Sequence, residues 1–377
     1  MMTLILFALL CVSRVAAHLV SFSNVHPRTD VKGSIINAHD GTTRQYGGPG
    51  SPFYYHAIGY PACNETGNIN GCNDCIFAGG NTIDIWMNSD LKSGSWVKTA
   101  TVYPGSAGLP NCTYFRSQVV FSPLTKRYVL WVNAVECVES SCPGGVCGQY
   151  SVATASAPGG PFVFINMATP PPPVTDSLGD HALFVDERDG GGYIVVTHLV
   201  AGAGPRDMIV FALTPDFLHF SPDPTETSGV LPGQKLVEAP SFFKRESTYY
   251  ILLGGCTCMG LYGGGVAALT STRGPLGPWT NVSSTLDPGC PMHEQDTCFE
   301  MGPGAICNPA TQAQQNFVIQ VPLADGTTAM IWTGDRWQQS PDGMFDKQPQ
   351  TWLPLNFDGD AILPLKYVDS FTLDVAA

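Results

Sequence analysis

Glu238 stands directly before Ala239, Pro240 and the run SFFKRESTYYILLGG. One carboxylate therefore precedes an apolar, aromatic strand, a short charged turn and a returning strand. Burial beside apolar neighbours raises a carboxyl pKa, so a glutamic acid in such a place can carry a proton near neutral pH and give it to a leaving group. Other polar residues open similar segments: His39 and Asp40 in AHDG, Arg116 after Phe115 in FRSQ, Asp180 in GDHALF, and Gln314 in AQQNF. If these starts converge, three carboxylates, an amide and a histidine face one pocket. Such a set suits glycoside hydrolysis, in which an acid protonates the leaving oxygen while a second group activates water. A separation of about 6.5–9.5 Å between the two leaves room for that water and gives inversion.

The convergence rests on a repeat. Hairpin-like units cover 115–133, 180–198, 238–255 and 313–334, and a weaker one joins 36–41 to 53–60 across a Gly/Pro-rich insertion. Each runs from a polar start through an apolar strand and a polar turn to an aromatic or β-branched strand. A second element also recurs: SVATASAPGGPFVF at 151–164 resembles VAALTSTRGPLGPWTN at 266–281. Unit starts near 39, 115, 180, 238 and 314 leave room for four strands each. The pattern predicts an all-β, five-bladed β-propeller as one domain over 18–377, with the first strand of each unit along the central axis. No amphipathic helix is predicted, and TPPPPV at 169–174 reads as a stiff connector between blades.

Bulk properties agree. Of 377 residues 44% are apolar and only 13% charged, with 41 glycines and 31 prolines, as a turn-rich β protein requires. A net charge of −13 argues against nucleic acid and anionic membranes as partners and leaves a neutral glycan open, with the chain acting as a monomer. Residues 1–17 read as a secretory signal, its apolar run too short to span a bilayer, with Val15-Ala16-Ala17 as the cleavage site. Without Cys11 an even number of cysteines remains, 12 of 13, expected to form local disulfides in a secreted chain. Cys72-x-x-Cys75 and Cys256-x-Cys258 lack the second pair or histidine of a zinc site, so no metal is expected there. Sequons at Asn64, Asn111 and Asn281 point to a glycosylated surface.

EAPSFFKRESTYYILLGGCT, followed by IWTGDRW at 331–337 and TWLPL at 351–355, resembles glycoside hydrolase family 43, most closely its exo-β-1,3-galactanase branch. The resemblance covers nearly the whole mature chain. It implies that Glu238 is the general acid and that Asp180 tunes and orients it. It further implies that Gln314 stands in place of a carboxylate base and that His39 matches the histidine of an AHGGG-like start. Two positions depart. Phe115 stands where the branch has the glutamate of an ERPK-like motif, and Asp40 stands where it has a glycine. Asp40 is therefore either a restored base or a turn residue before Gly41.

His39, Tyr60, Phe115, Arg116 and Trp337 are candidate sugar contacts, an aromatic face being able to stack on a sugar ring. His39 is alternatively a core histidine, or a grip for a structural cation or water on the axis; no redox cofactor is implied. Asp335-Arg336 reads as a structural ion pair or a substrate contact, and core packing is the alternative reading of Trp337 and Trp352. The expected activity is a secreted, inverting hydrolase that removes a terminal sugar from a β-galactan or related glycan. A carbohydrate-binding propeller without catalysis, and an arabinofuranosidase or xylosidase on the same fold, are the alternatives.

Overall fold

Short runs of β-branched and aromatic residues between glycines and prolines give a chain that is almost all strand. A computed structural model describes residues 17–377 apart from 67–74, 76–78, 146–148, 173, 175–176, 200–206, 233–236, 257–258, 262, 284–285 and 289–310. Its strands are β1 (Ala17–Ser23), β2 (His39–Gln45), β3 (Phe53–Gly59), β4 (Thr82–Asn88), β5 (Val97–Val102), β6 (Thr113–Ser122), β7 (Arg127–Val135), β8 (Tyr150–Ala155) and β9 (Val163–Ala168). They continue with β10 (Ser177–Val185), β11 (Gly192–Leu199), β12 (Asp207–Ala212), β13 (Thr227–Val230), β14 (Val237–Arg245), β15 (Thr248–Gly255), β16 (Val266–Ser271) and β17 (Thr280–Ser283). The last are β18 (Gln314–Pro322), β19 (Thr328–Asp335), β20 (Gln350–Pro354), β21 (Phe357–Asp358), β22 (Ala361–Ile362) and β23 (Ser370–Ala376). Helix is confined, among the described residues, to short 3₁₀ turns such as Glu139–Ser141 and Phe345–Lys347.

Consecutive strands pair as antiparallel meanders. β10–β13 and β14–β17 form four-stranded sheets, and β18–β20 a three-stranded one. β2–β5 and β6–β9 merge into a single eight-stranded sheet through one parallel pair, Gly41 with Ser117. Gly41 is required there, because a Cβ would overlap the backbone oxygen of His56. The last sheet has three strands where the repeat predicts four. The terminal strands were not foreseen: β1 pairs antiparallel with β23, from Ala17–Ala376 to Ser23–Ser370, and the pair abuts β18 through a Leu323–Val375 bridge. Apart from Ala17, the expected signal segment lies outside the described residues.

The first strands β2, β6, β10, β14 and β18 each lie beside the next, and β18 returns to β2. The apolar core is correspondingly divided into slabs between neighbouring sheets. Period-two alternation sends adjacent residues to different slabs. Val119 packs toward β2–β5 and Val120 toward β10–β13. Phe242 packs toward β10–β13 and Phe243 toward β18–β20. Phe317 and Trp352 close the ring against Phe53, Tyr55 and Trp86, where β1 and β23 add Val20, Phe22 and Val375. The repeated elements at 151–164 and 266–281 supply β8–β9 and β16–β17, and both carry a cis Gly-Pro bond, Gly160-Pro161 and Gly277-Pro278. Disulfides Cys63–Cys75 and Cys112–Cys137 span separations of 12 and 25 residues, as local staples of loops should.

Candidate active site

Each inner strand carries a register shift near its start: His39/Thr42, Phe115/Gln118, Leu178/His181, Glu238/Ser241 and Gln315/Val318. At three of them a non-glycine residue takes a left-handed backbone: Asp40 (φ 51°), Arg116 (φ 55°) and Ala239 (φ 53°). Such bulges re-aim a side chain out of the pleat, and left-handed backbone at a β-bulge is a frequent companion of functional sites. Here they turn Asp40, Arg116, Asp180 and Glu238 toward one another, although the strands that carry them are far apart in sequence.

Arg116 is the hub. It is 4% exposed. Its Nε lies 3.4 Å from Asp40 Oδ1 and its Nη2 3.2 Å from Asp180 Oδ2. Its Nη1 donates to Asn316 Oδ1 at 2.9 Å. Burial works to lower the pKa of Arg116, but the surrounding carboxylates, Asp180 and Asp40 foremost, outweigh it and hold the guanidinium charged above its ordinary value. Asp180 Oδ2 also accepts the Ala239 N–H at 3.0 Å, so the aspartate pins the bulge that aims Glu238.

Both oxygens of Asp40 are engaged. Oδ2 accepts from the Tyr60 hydroxyl at 2.7 Å while Oδ1 faces Arg116. Burial raises its pKa and Arg116 opposes the rise. Beneath it lies Asp335, 1% exposed. Asp335 Oδ2 accepts from the Asp40 N–H and from Asn316 Nδ2, each at 3.0 Å, and Oδ1 accepts from Gln350 Nε2 at 3.2 Å. Burial, then the charge of Asp40, pushes the Asp335 carboxyl up to about 7. The sequence reading did not place Asp335 in this cluster. Its expected ion pair with Arg336 does not form: Arg336 turns away to Gln339 Oε1 at 2.8 Å and the Asn24 carbonyl at 3.0 Å. Asp335 is the last residue of β19 and Arg336 lies beyond the strand, where the chain carries the base away from its neighbouring acid.

Glu238 and Gln314 meet directly, Gln314 Nε2 donating to Glu238 Oε1. The Trp337 indole N–H donates to Gln314 Oε1 at 2.6 Å, which fixes the orientation of the amide. The neighbouring glutamine faces the other way, Gln315 Oε1 accepting from Trp332 Nε1. His39 is fully buried between Tyr60 and Trp337, with ring centroids at 5.5 and 5.4 Å, and its Nδ1 lies 3.9 Å from Asp335 Oδ1. Burial, opposed by the Asp346 backbone, pushes its pKa down to about 3, so it is a neutral core ring at physiological pH.

Tyr60 and Trp337 are 3% and 0% exposed and pack on Phe345, so neither offers a free face for a sugar in this conformation. Phe115 belongs to the core between β2–β5 and β6–β9. Trp352 is core, with the Arg28 guanidinium 3.7 Å above its ring. Among the described residues, the one close group of three cysteine, histidine or carboxylate ligand atoms is Cys112, Cys137 and Cys142. Two of its sulfurs are joined to each other. No helix of the described residues is long and apolar enough to cross a membrane.

No family model matches the chain, and no curated protein matches it. Solved structures do match. An exo-β-1,3-galactanase from Clostridium thermocellum aligns with a TM-score of 0.65 at 22% identity, over 94% of this chain and 67% of that one. A GH43 β-1,3-galactosidase aligns with a TM-score of 0.63 at 21% identity, over 94% and 64%. An exo-β-1,3-galactanase from Phanerochaete chrysosporium, solved with galactose, gives 0.64 at 18% identity, over 94% and 69%. This chain therefore spans roughly two thirds of the length of each. The likeness is one of fold, and it places the chain structurally beside the family 43 glycoside hydrolases that its motifs resemble.

Proposed function

We propose that the chain is a secreted glycoside hydrolase that removes a terminal sugar from a β-galactan-type glycan with inversion. In this reading the meanders are blades of a five-bladed propeller, and the site lies where their inner strands begin. One observation carries the reading: Glu238, Asp180 and Gln314 come from three inner strands and meet around Arg116. The structural neighbours described as β-1,3-galactosidase and exo-β-1,3-galactanases support the substrate class.

Glu238 donates the proton to the leaving oxygen. Asp180 holds the Glu238–Ala239 bulge and Arg116, so it sets where that proton points. Gln314 positions the water. Its amide, held by Trp337, orients a water rather than readily accepting a proton. Asp40, with both oxygens committed to Tyr60 and Arg116, acts as a positioning residue that keeps the guanidinium in place. The direct Glu238–Gln314 contact leaves no space for substrate, so a bound sugar must part the two, as catalytic contacts commonly rearrange on binding. Asn64, Asn111 and Asn281 are exposed, as glycan acceptors of a secreted chain would be.

Glu238→Gln is the test. Turnover of a β-1,3-galactan by the purified chain is expected to fall at least about a hundredfold, in line with loss of a general acid, while sugar binding survives. Equal turnover in the variant refutes the assignment. Binding without turnover in wild type and variant alike identifies a carbohydrate-binding propeller, the reading that Phe115 favours by removing a polar sugar contact.

A further inference from the structure

The inner strands also enclose a cavity, toward their other ends. It has a volume of about 470 Å³ and takes lining residues from all five inner strands, among them Arg44, Phe121, Phe184, Phe242 and Gln320. It shares none of its lining with the Glu238 cluster.

Arg44 gives this cavity its character. Its Nη2 donates to the Leu183 carbonyl at 2.7 Å, while its Nε is buried with no hydrogen-bond partner. Beside it Thr43 is 2% exposed, and its hydroxyl likewise has no partner. The other charges are differently placed. Lys244 lies 3.3 Å from Asp186, which it shares with Arg188 at 2.8 Å. Glu246 is paired with Arg245 at 3.0 Å. Glu187 stands exposed at the rim. No carboxylate among the described residues forms an ion pair with Arg44. A half-buried guanidinium without a counter-charge is incompletely satisfied, and a planar carboxylate complements it well. Glu187 is exposed and Arg44 half-buried, so water screens the rim carboxylate more than the guanidinium.

The walls narrow the ligand further. Phe184 and Phe242, 6% and 5% exposed, stack on each other at 4.6 Å, while Phe121 is 36% exposed and offers an apolar face to C–H groups. Gln320 and Glu187 present amide and carboxylate groups suited to hydroxyls. The rim carboxylate disfavours a polyanion such as a phosphate ester and accepts hydroxyl donors. We propose that this cavity is a second ligand site, for an acidic saccharide whose carboxylate is held by Arg44 and Thr43 and whose ring lies against Phe121. The proposal does not depend on the role of Glu238, since a chain without hydrolytic activity can still bind here.

Calorimetric titration of the full chain with D-glucuronate, D-glucose and sodium sulfate tests it. D-Glucuronate is expected to bind about tenfold or more tightly than D-glucose, its neutral counterpart, and Arg44→Gln to abolish that preference, as loss of a charge-assisted hydrogen bond would. Phe121→Ala, which alters an accessible wall residue, is expected to weaken glucuronate severalfold and serves if Arg44→Gln fails to fold. The proposal is overturned if glucose binds as tightly as glucuronate, or if sulfate does. Glucuronate binding that is unchanged in both variants also overturns it.

Discussion

Arg116→Met is the most informative single perturbation. The substitution keeps an apolar stem of similar length and removes a guanidinium that lies 3.4 Å from Asp40 and 3.2 Å from Asp180, and donates at 2.9 Å to Asn316. Removing one partner of a buried ion pair costs about 3–5 kcal/mol, because the remaining charge stays buried without compensation. The Asp180 side chain is 20% exposed, so water screens its share and the lower end, about 3 kcal/mol, applies. At about 2.1 cal/mol/K per residue, a chain of 377 residues loses about 4 °C in Tm for such a change. The loss must also depend on pH. Burial already raises the Asp40 carboxyl while Arg116 opposes the rise, so without the cation its folded pKa climbs further. A carboxyl with a raised folded pKa is most tolerable when protonated. The gap between variant and wild type is therefore expected to narrow as pH falls from 8 toward 5. Scanning calorimetry at several pH values reads both quantities. A Tm within about 1 °C of wild type at pH 8, or a loss that is flat across pH, refutes Arg116 as the charge hub of the site.

The other expectations concern the same cluster. Gln314→Ala should lower kcat on a β-1,3-galactan and, by leaving the buried Trp337 indole unsatisfied, cost about 1–3 kcal/mol of stability. Gln315→Ala, on the opposite face against Trp332, should cost stability by about 1–3 kcal/mol through an unsatisfied indole and spare kcat; the reverse pattern in kcat would show that the register of β18 is misassigned. Asp335 is raised to about 7 by burial and by Asp40, so its folded pKa exceeds its unfolded one. It then favours the fold below about pH 4 and loses that contribution as pH rises through about 7. Urea denaturation of wild type should show stability falling across this window, and Asp335→Asn should flatten the fall; an unaltered slope would place the titration elsewhere.

The repeat units were legible because a strand buried on both faces or alternating between them writes its period directly into the sequence. The units at 115–133, 180–198, 238–255 and 313–334 reappear as β6–β7, β10–β11, β14–β15 and β18–β19. The convergence of Asp40, Arg116, Asp180, Glu238 and Gln314 followed from their shared place at unit starts. Asp335 was missed because it ends a returning strand, a position that the repeat treats as ordinary. The β1–β23 pairing was missed because strand pairing over that sequence distance leaves no local signal.

Composition, alternation and motif spacing, all local properties, thus determined by themselves an all-β chain of repeated hairpins with polar residues at their starts. Tertiary structure alone decided the partners. Bulges with left-handed backbone at Asp40, Arg116 and Ala239 turn side chains across a ring of strands, and a one-residue change of register would turn them away. It is this turning that commits Asp40 to Tyr60 and Arg116, puts Gln314 on Glu238 and sends Gln315 to Trp332. It also leaves Arg44 half-buried without a counter-charge at the far end of the same ring.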